Sequence, residues 1–473
     1  MLTSRLAPSH PKLLPSLTCA LLVVTALVPL LHHERALPLA IAAAVGIALW
    51  VGTPGLVRYL HHSKLSARSV VRPTVELVLH LSPVALLTFV FPIASHRIGR
   101  TQVGGVSLTA LLLASSLTVP WLGQAVCLPL YRAIGHLIGG GDMNKIQRRF
   151  CEVWPSTFAQ CLPAVAVFAV PVELATRWPL RAFGTYLALC VLHLSFAQSL
   201  VLANVGRRRV LWAVAWLSYA TALFVIPTAW YLPPLAGLGS QLVAMRRYLP
   251  QMKRPVMLDN IDVAMDLGRG VLLGAVLWSD KFFLYLRSGA HFAVTTVFLA
   301  LLPAILAYNY YFVRLAPTFD KSVGALRTAM EGEPYSKLTE RSSALAVTVE
   351  GGLRTTAFIG ACLCFVVACL VSSLTPRYLS LAAAIAIASW LFMMITVLCY
   401  KLDYIGRIGL AQVFSAAHLV GCAGAFLLFP PKALLYITLS CFEVLVFVAA
   451  LYSCLTQWRS SEYTLFWRHA TAW

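Results

Sequence analysis

Apolar runs of about twenty residues, the length at which an α-helix crosses the hydrocarbon layer of a bilayer, follow one another from residue 13 to residue 455. The short segments between them hold most of the lysines and arginines. A soluble fold has no interior large enough for such a series. The chain is 59% hydrophobic and 11% charged, against roughly 25% charged residues in soluble proteins. The longest stretch without a clear span, from Arg314 to Ser343, is too short to fold as an independent catalytic unit. The expected class is an all-α polytopic membrane protein, with any chemistry carried out in or beside the bilayer.

Fourteen spans are predicted: 13–31, 36–57, 74–94, 103–130, 155–174, 181–204, 209–228, 229–247, 267–286, 292–313, 353–374, 378–398, 408–429 and 433–455. The window 229–247 holds Pro233, Pro234 and two glycines, and 103–130 is overlong and contains Pro120. The first run follows Arg5 and Lys12 as a signal peptide would. It reaches spanning length and leads into a second run, which favours an uncleaved anchor. Pro120, Pro171, Pro227, Pro303, Pro430 and Pro431 punctuate the series. Such breaks serve transporters, and they are also simply commoner in membrane helices.

Charge supplies an internal test, because cytoplasmic loops collect Lys and Arg. With the N-terminus inside, the alternation assigns to the cytoplasm Arg58 to Arg72, Arg132 to Arg149, Arg207 to Arg209, and Arg246 to Arg254. It then assigns Arg314 to Arg341, Lys401 and Arg407, and Arg459 and Arg468 to the same side. About 26 of the 37 basic residues fall inside, and about 8 outside. The net charge of +20 therefore reads as topology and contact with anionic lipid. It comes in loop clusters, without the basic stripe and interleaved aromatics of a nucleic-acid binder. An even number of spans puts both termini in the cytoplasm of a bacterial plasma membrane.

Enzyme signatures are sparse. The twelve cysteines sit in or beside apolar runs without metal-ligand spacing, so neither a metal nor a cofactor is expected. Gly139-Gly140-Gly141-Asp142 lacks the Gly-Lys-Ser/Thr continuation and the strand-helix context of a phosphate loop. The first outside loop offers only Glu34 as a carboxylate, where a transferase on lipid-linked sugars needs acids to bind metal or activate a hydroxyl. No catalytic residue is assigned.

Ionisable groups inside spans are costly and face a cavity or a partner. Asp280 and Lys281 are adjacent, so their side chains leave the helix about 100° apart and need not meet. Asp262, Asp266 and Arg269 have the i, i+4, i+7 spacing of one helix face, with Asp259 just before them. Two readings stand: a water-lined path, or headgroup-level acids near Arg254 with Asp266 paired to Arg269. Glu350 and Arg354 are spaced as a local ion pair. Glu443 is the one acid deep in the last span, a buried carboxyl. His80, His193 and His418 are lone histidines on apolar helices, read as interhelical hydrogen-bonding groups.

Three stretches between about 108 and 320 carry a family resemblance. Leu111 to Gly141 runs Leu-Leu-Leu-Ala-Ser-Ser-Leu-Thr-Val-Pro into Pro-Leu-Tyr-Arg and a Gly-rich turn. Gly274 to Tyr285 contains Leu-Trp-Ser-Asp-Lys-Phe-Phe, and Leu302-Pro303-Ala304 is followed by Tyr311-Phe312-Val313-Arg314 and Thr318-Phe319. These stretches resemble the second, seventh and eighth core helices of the Pel exopolysaccharide transporter subunit, a PelG-type member of the multidrug/oligosaccharidyl-lipid/polysaccharide flippase superfamily. The chain departs from the family pattern at Pro317 and at Gly135-His136, where the family has acids.

The resemblance implies two six-helix bundles about a central cavity, with an N-terminal hairpin at 1–65, a first bundle at 66–250 and a second bundle with a short cytoplasmic tail at 251–473. It implies export of an exopolysaccharide or lipid-linked oligosaccharide by alternating access, without bond chemistry. Asp266, Arg269, Asp280, Lys281 and Glu443 are the residues expected to line the path or gate it. Membrane lipids, a cytoplasmic glycosyltransferase and further membrane subunits of a synthase complex are the expected partners, and nucleic acid is not. The alternatives are a membrane-embedded glycosyltransferase or ligase on polyprenyl-linked glycans, and an ion-coupled small-molecule antiporter of the same superfamily, in which Glu443 or Asp280 is essential.

Overall fold

The structure is a computed structural model that describes residues 76–470, apart from 78, 139–140, 207, 290–291, 331 and 375–378. The spans expected at 13–31 and 36–57, and the 1–65 hairpin, lie outside the described residues. Helix dominates what is described. The strands β1 (Gln102–Val103) and β2 (Val106–Ser107) form a tight antiparallel hairpin, whose turn uses Gly104 and Gly105 at positive φ.

The described residues divide into two compact units. One comprises Ala67–Phe292 and Ser415–Pro431. It contains α1 (Ser82–Arg100), α2 (Leu108–Ile138), α3 (Met143–Thr176), α4 (Leu180–Ser199) and the short α5 (Val201–Val205). After these come α6 (Arg209–Val225), α7 (Leu232–Met245) and α8 (Asn260–Ser288). The sequence boundary at 250 assigns α8 to the second bundle, whereas α8 packs along α2 and α3 of this unit.

Small residues on α8 permit that packing. A methyl added at Gly270 would overlap the Ala125 backbone, and one at Gly274 would come within 2.6 Å of the Trp121 carbonyl oxygen. Trp121 Nε1 donates to the Val271 carbonyl at 2.8 Å across the same seam. In membranes, close backbone approach and interhelical hydrogen bonds replace the hydrophobic drive between helices. Gln198, fully buried on α4, is satisfied on both sides. Its Oε1 accepts from Trp154 Nε1 at 2.9 Å, and its Nε2 donates to the Val126 carbonyl at 2.8 Å.

The other unit includes Ala293–Phe414 and Lys432–Trp473. Here lie α9 (Val294–Tyr310), a π-helical turn at Tyr311–Leu315, α10 (Ala316–Met330) and α11 (Tyr335–Leu374). With them are α12 (Leu379–Tyr404), α14 (Ala433–Arg459) and α15 (Ser461–Ala470), while α13 (Ile408–Leu428) divides between the units at Phe414. The apolar α12 is this unit's core and packs on α9, α11 and α14. Gly360 makes room for Trp390, whose Nε1 donates to the Ala357 carbonyl at 3.1 Å.

Each of the twelve described spans falls on a helix, and eight helical stretches are long and apolar enough to cross a membrane. Four others differ, of which α1 carries His96, Arg97 and Arg100 in its last turns. Helix α7, carrying Pro233 and Pro234, has 14 residues and spans only about 21 Å. Helix α6 has 17 residues, and α8 carries too many charges to qualify by composition. The overlong window 103–130 resolves into the β-hairpin followed by α2, which runs through Pro120 and Pro129 to Ile138. The stretch from Arg314 to Ser343 is helical, forming α10 and the start of α11.

Loops that the charge alternation assigns to one side meet at one end of each unit. Asn204 Nδ2 donates to the Tyr131 hydroxyl at 2.8 Å, the Tyr248 hydroxyl donates to Asn144 Oδ1 at 2.7 Å, and Val256 N donates to the Glu152 carbonyl at 2.8 Å. At the opposite end of that unit, Gly104 lies against Ala182, where a methyl would stand 3.2 Å from the Ala182 nitrogen. In the other unit Arg407 Nε donates to Gln457 Oε1 at 2.8 Å, and the Ser342 and Ser461 hydroxyls lie 2.8 Å apart.

Candidate functional site

Helix α8 concentrates acidic and basic side chains, Asp262, Asp266, Arg269, Asp280 and Lys281 among them. It starts because Asp259 caps it, the carboxylate accepting from Ile261 N at 2.9 Å and Asp262 N at 3.1 Å. Asp259 is thereby accounted for as a structural acid. On an α-helix with 100° per residue, Asp262, Asp266, Arg269 and Asp280 fall within a sector of about 60°, so α8 has one polar face.

Asp266 has a partner on another helix. Arg132, in the penultimate turn of α2, reaches Asp266 Oδ2 through Nε at 2.9 Å and Asp262 Oδ2 through Nη1 at 3.0 Å. The charge alternation places Arg132 in a loop, whereas α2 continues past it to Ile138. Asp266 is buried and Arg132 is 40% exposed at its side chain, so the clamp stands at the edge of the protein interior. Arg269 is half-buried one turn further along the helix.

About 21 Å along the axis from Asp266, Asp280 and Lys281 are both fully buried and do pair, with Nζ 2.9 Å from Asp280 Oδ1. The flexible lysine stem folds back towards its own helix, which overcomes the angular separation of neighbouring residues. Lys281 Nζ also donates to the Leu277 carbonyl at 3.3 Å. Beside the pair, the Ser279 hydroxyl and His418 Nε2 of α13 are 3.1 Å apart, both buried. Trp121, Phe168, Phe282 and Phe283 stack edge to face around the same level, a low-dielectric surround that strengthens charge interactions.

The remaining sequence candidates separate from this cluster. Glu443 is fully buried on α14, in the other unit. Glu350 and Arg354 form the expected local pair at 2.6 Å. The three histidines bond between elements: His80 Nδ1 to Arg209 at 3.1 Å, His193 Nε2 to the Tyr219 hydroxyl at 3.0 Å, and His418 to Ser279. Asp142 caps α3, accepting from Asn144 N and Lys145 N, which gives the end of the Gly-rich turn a structural role. The described cysteines are free thiols, mostly buried.

Among the described residues no group of three or more His, Cys, Asp or Glu side chains is arranged to hold a metal ion. The site therefore offers fixed ion pairs inside an apolar helix bundle. Neither a protein-family model nor a curated protein matches the chain.

Proposed function

We propose that the chain is an exporter of the flippase type, which moves an exopolysaccharide or lipid-linked oligosaccharide across a bacterial plasma membrane by alternating access. The observation that carries this reading is α8, a helix with one polar face and two levels of ion pairing along its length. Charges in a bilayer are costly, and where they persist they mark paths and gates for polar cargo. The local resemblance to PelG-type transporters around Gly274 to Tyr285 supports the same helix as the cargo-facing one.

In this reading the chain has fourteen spans, the last twelve forming two transport lobes, with both termini in the cytoplasm. The segregation of basic loops to one end of each unit supports that orientation. Arg132–Asp266 is the water-accessible pair, and Asp280–Lys281 the sealed one. Exchange of these pairs for contacts with hydroxyl-rich or phosphate-bearing cargo provides differential binding between two states, which any ligand-driven conformational change requires. A cytoplasmic glycosyltransferase and further membrane subunits supply the polymer.

Deletion of the gene tests the proposal. Extracellular polysaccharide is expected to disappear while sugar nucleotide or polymer accumulates in the cytoplasm. Unchanged secretion contradicts it, and transfer of sugar from a labelled lipid donor by the purified protein favours a membrane-embedded transferase instead.

A further inference from the structure

The charge alternation places Lys401 in a cytoplasmic loop, but α12 continues to Tyr404 and buries the side chain to 3% exposure. Its ammonium is surrounded by aromatic faces. Nζ lies 2.8 Å from the centroid of Phe319, 5.4 Å from that of Tyr311 and 6.0 Å from that of Trp458. These rings come from α10, from the π-helical turn and from α14, so one cation ties α12 to three other segments of its unit. Among the described residues no carboxylate stands within ion-pair distance of this ammonium. Asp320 on α10 and the Cys454 thiol on α14 are the titratable groups that act on it. Phe319 also packs edge to face on Tyr404 and Trp458, both at 5.0 Å.

The π-helical turn is the second observation. At Tyr311–Leu315 the Ala316 N–H donates to the Tyr311 carbonyl, closing a ring one residue wider than an α-helical one. Such turns are rare, have weaker geometry than the α-helix and occur mostly as single turns at functional places. Tyr311 is both the acceptor that closes the turn and one wall of the lysine cage. The attraction of an ammonium for ring faces needs its charge and strengthens when water is excluded.

We infer that Lys401 is a cation–π latch that holds the Tyr311–Leu315 turn in its π form, and that its release lets the turn relax to α-helical pitch. Relaxation removes the extra residue from the ring, which corresponds to about 100° of rotation for α10 about its axis. The latch is independent of the transport reading, since it concerns a single unit and no cargo.

Amide hydrogen exchange on the full chain in lipid nanodiscs tests it. Lys401→Met keeps the bulk and removes the charge, and exchange in 308–320 is expected to rise about tenfold while α2 stays at its wild-type rate. Lys401→Arg retains a cation that stacks on rings, and its exchange is expected to remain within about twofold of wild type. Trp458→Leu, which removes one wall and leaves the ammonium, is expected to raise exchange about threefold in the same segment. Wild-type exchange in Lys401→Met or Trp458→Leu overturns the inference. So does an equal rise in α2, and so does a Lys401→Arg protein that exchanges as fast as Lys401→Met.

Discussion

Arg132 of α2 holds Asp266 of α8 at 2.9 Å and, with the other arm of the same guanidinium, Asp262 at 3.0 Å. One cation thus bridges two carboxylates a helical turn apart, one of them buried. Arg132→Gln is expected to destabilise the protein by about 1–2 kcal/mol, discounted for the exposed arginine. Arg132→Lys is expected to recover only part of this, because an ammonium cannot reproduce the fork. Thermal unfolding in detergent measures both.

The pair Asp280–Lys281 behaves differently because it is sealed. Lys281→Met alone leaves a buried carboxylate without its cation and is expected to cost about 3–5 kcal/mol. The double variant Asp280→Asn/Lys281→Met removes both charges and is expected to be nearer wild type than the single variant. A thermal double-mutant cycle reads the coupling.

Glycines along α8 separate packing from charge. Gly270→Leu and Gly274→Leu drive a side chain into the backbone of α2 at Ala125 and Trp121, and each is expected to lose at least about 3 kcal/mol or fail to accumulate in the membrane. Gly268 faces open space. Gly268→Ala is expected to fold as wild type or slightly better, since alanine lowers the entropy of the unfolded chain. Membrane levels and unfolding temperature distinguish the three.

Orientation is open to direct labelling. Gly141→Cys, beyond the end of α2, is expected to react only with reagents that reach the cytoplasm, and Ser288→Cys, at the end of α8, only from outside. The reverse pattern contradicts the fourteen-span topology.

Much of this architecture is legible in the sequence, because a bilayer forces long apolar runs into helices. Helices α2 to α9 and α11 to α14 overlap the apolar runs, whereas α10 fills part of the Arg314–Ser343 stretch where no run predicts a helix; Glu350–Arg354 lies within reach of local spacing rules. Partners that come from distant segments leave no such periodic signal. Arg132 and Lys401 read as loop charges because apolarity marks where a span ends in lipid, and not where the helix ends. Only the fold shows that each is still helical, with Lys401 buried and the exposed Arg132 reaching a buried aspartate. The Ser279–His418 contact and the Gly270/Gly274 seam with Ala125 and Trp121 likewise need the packing of α8, although two glycines four residues apart hint at close helix approach.

The central claim is that the charged face of α8 serves export. The most direct measurement is secreted polysaccharide per cell in a deletion strain carrying either the wild-type gene or Asp280→Asn/Lys281→Met, with membrane levels of both proteins matched. Wild type is expected to restore secretion, and the double variant to insert and fold while secreting less than a tenth as much, corresponding to about 1.4 kcal/mol or more of lost state-dependent stabilisation. Full secretion with the double variant, or in the deletion strain itself, contradicts the claim.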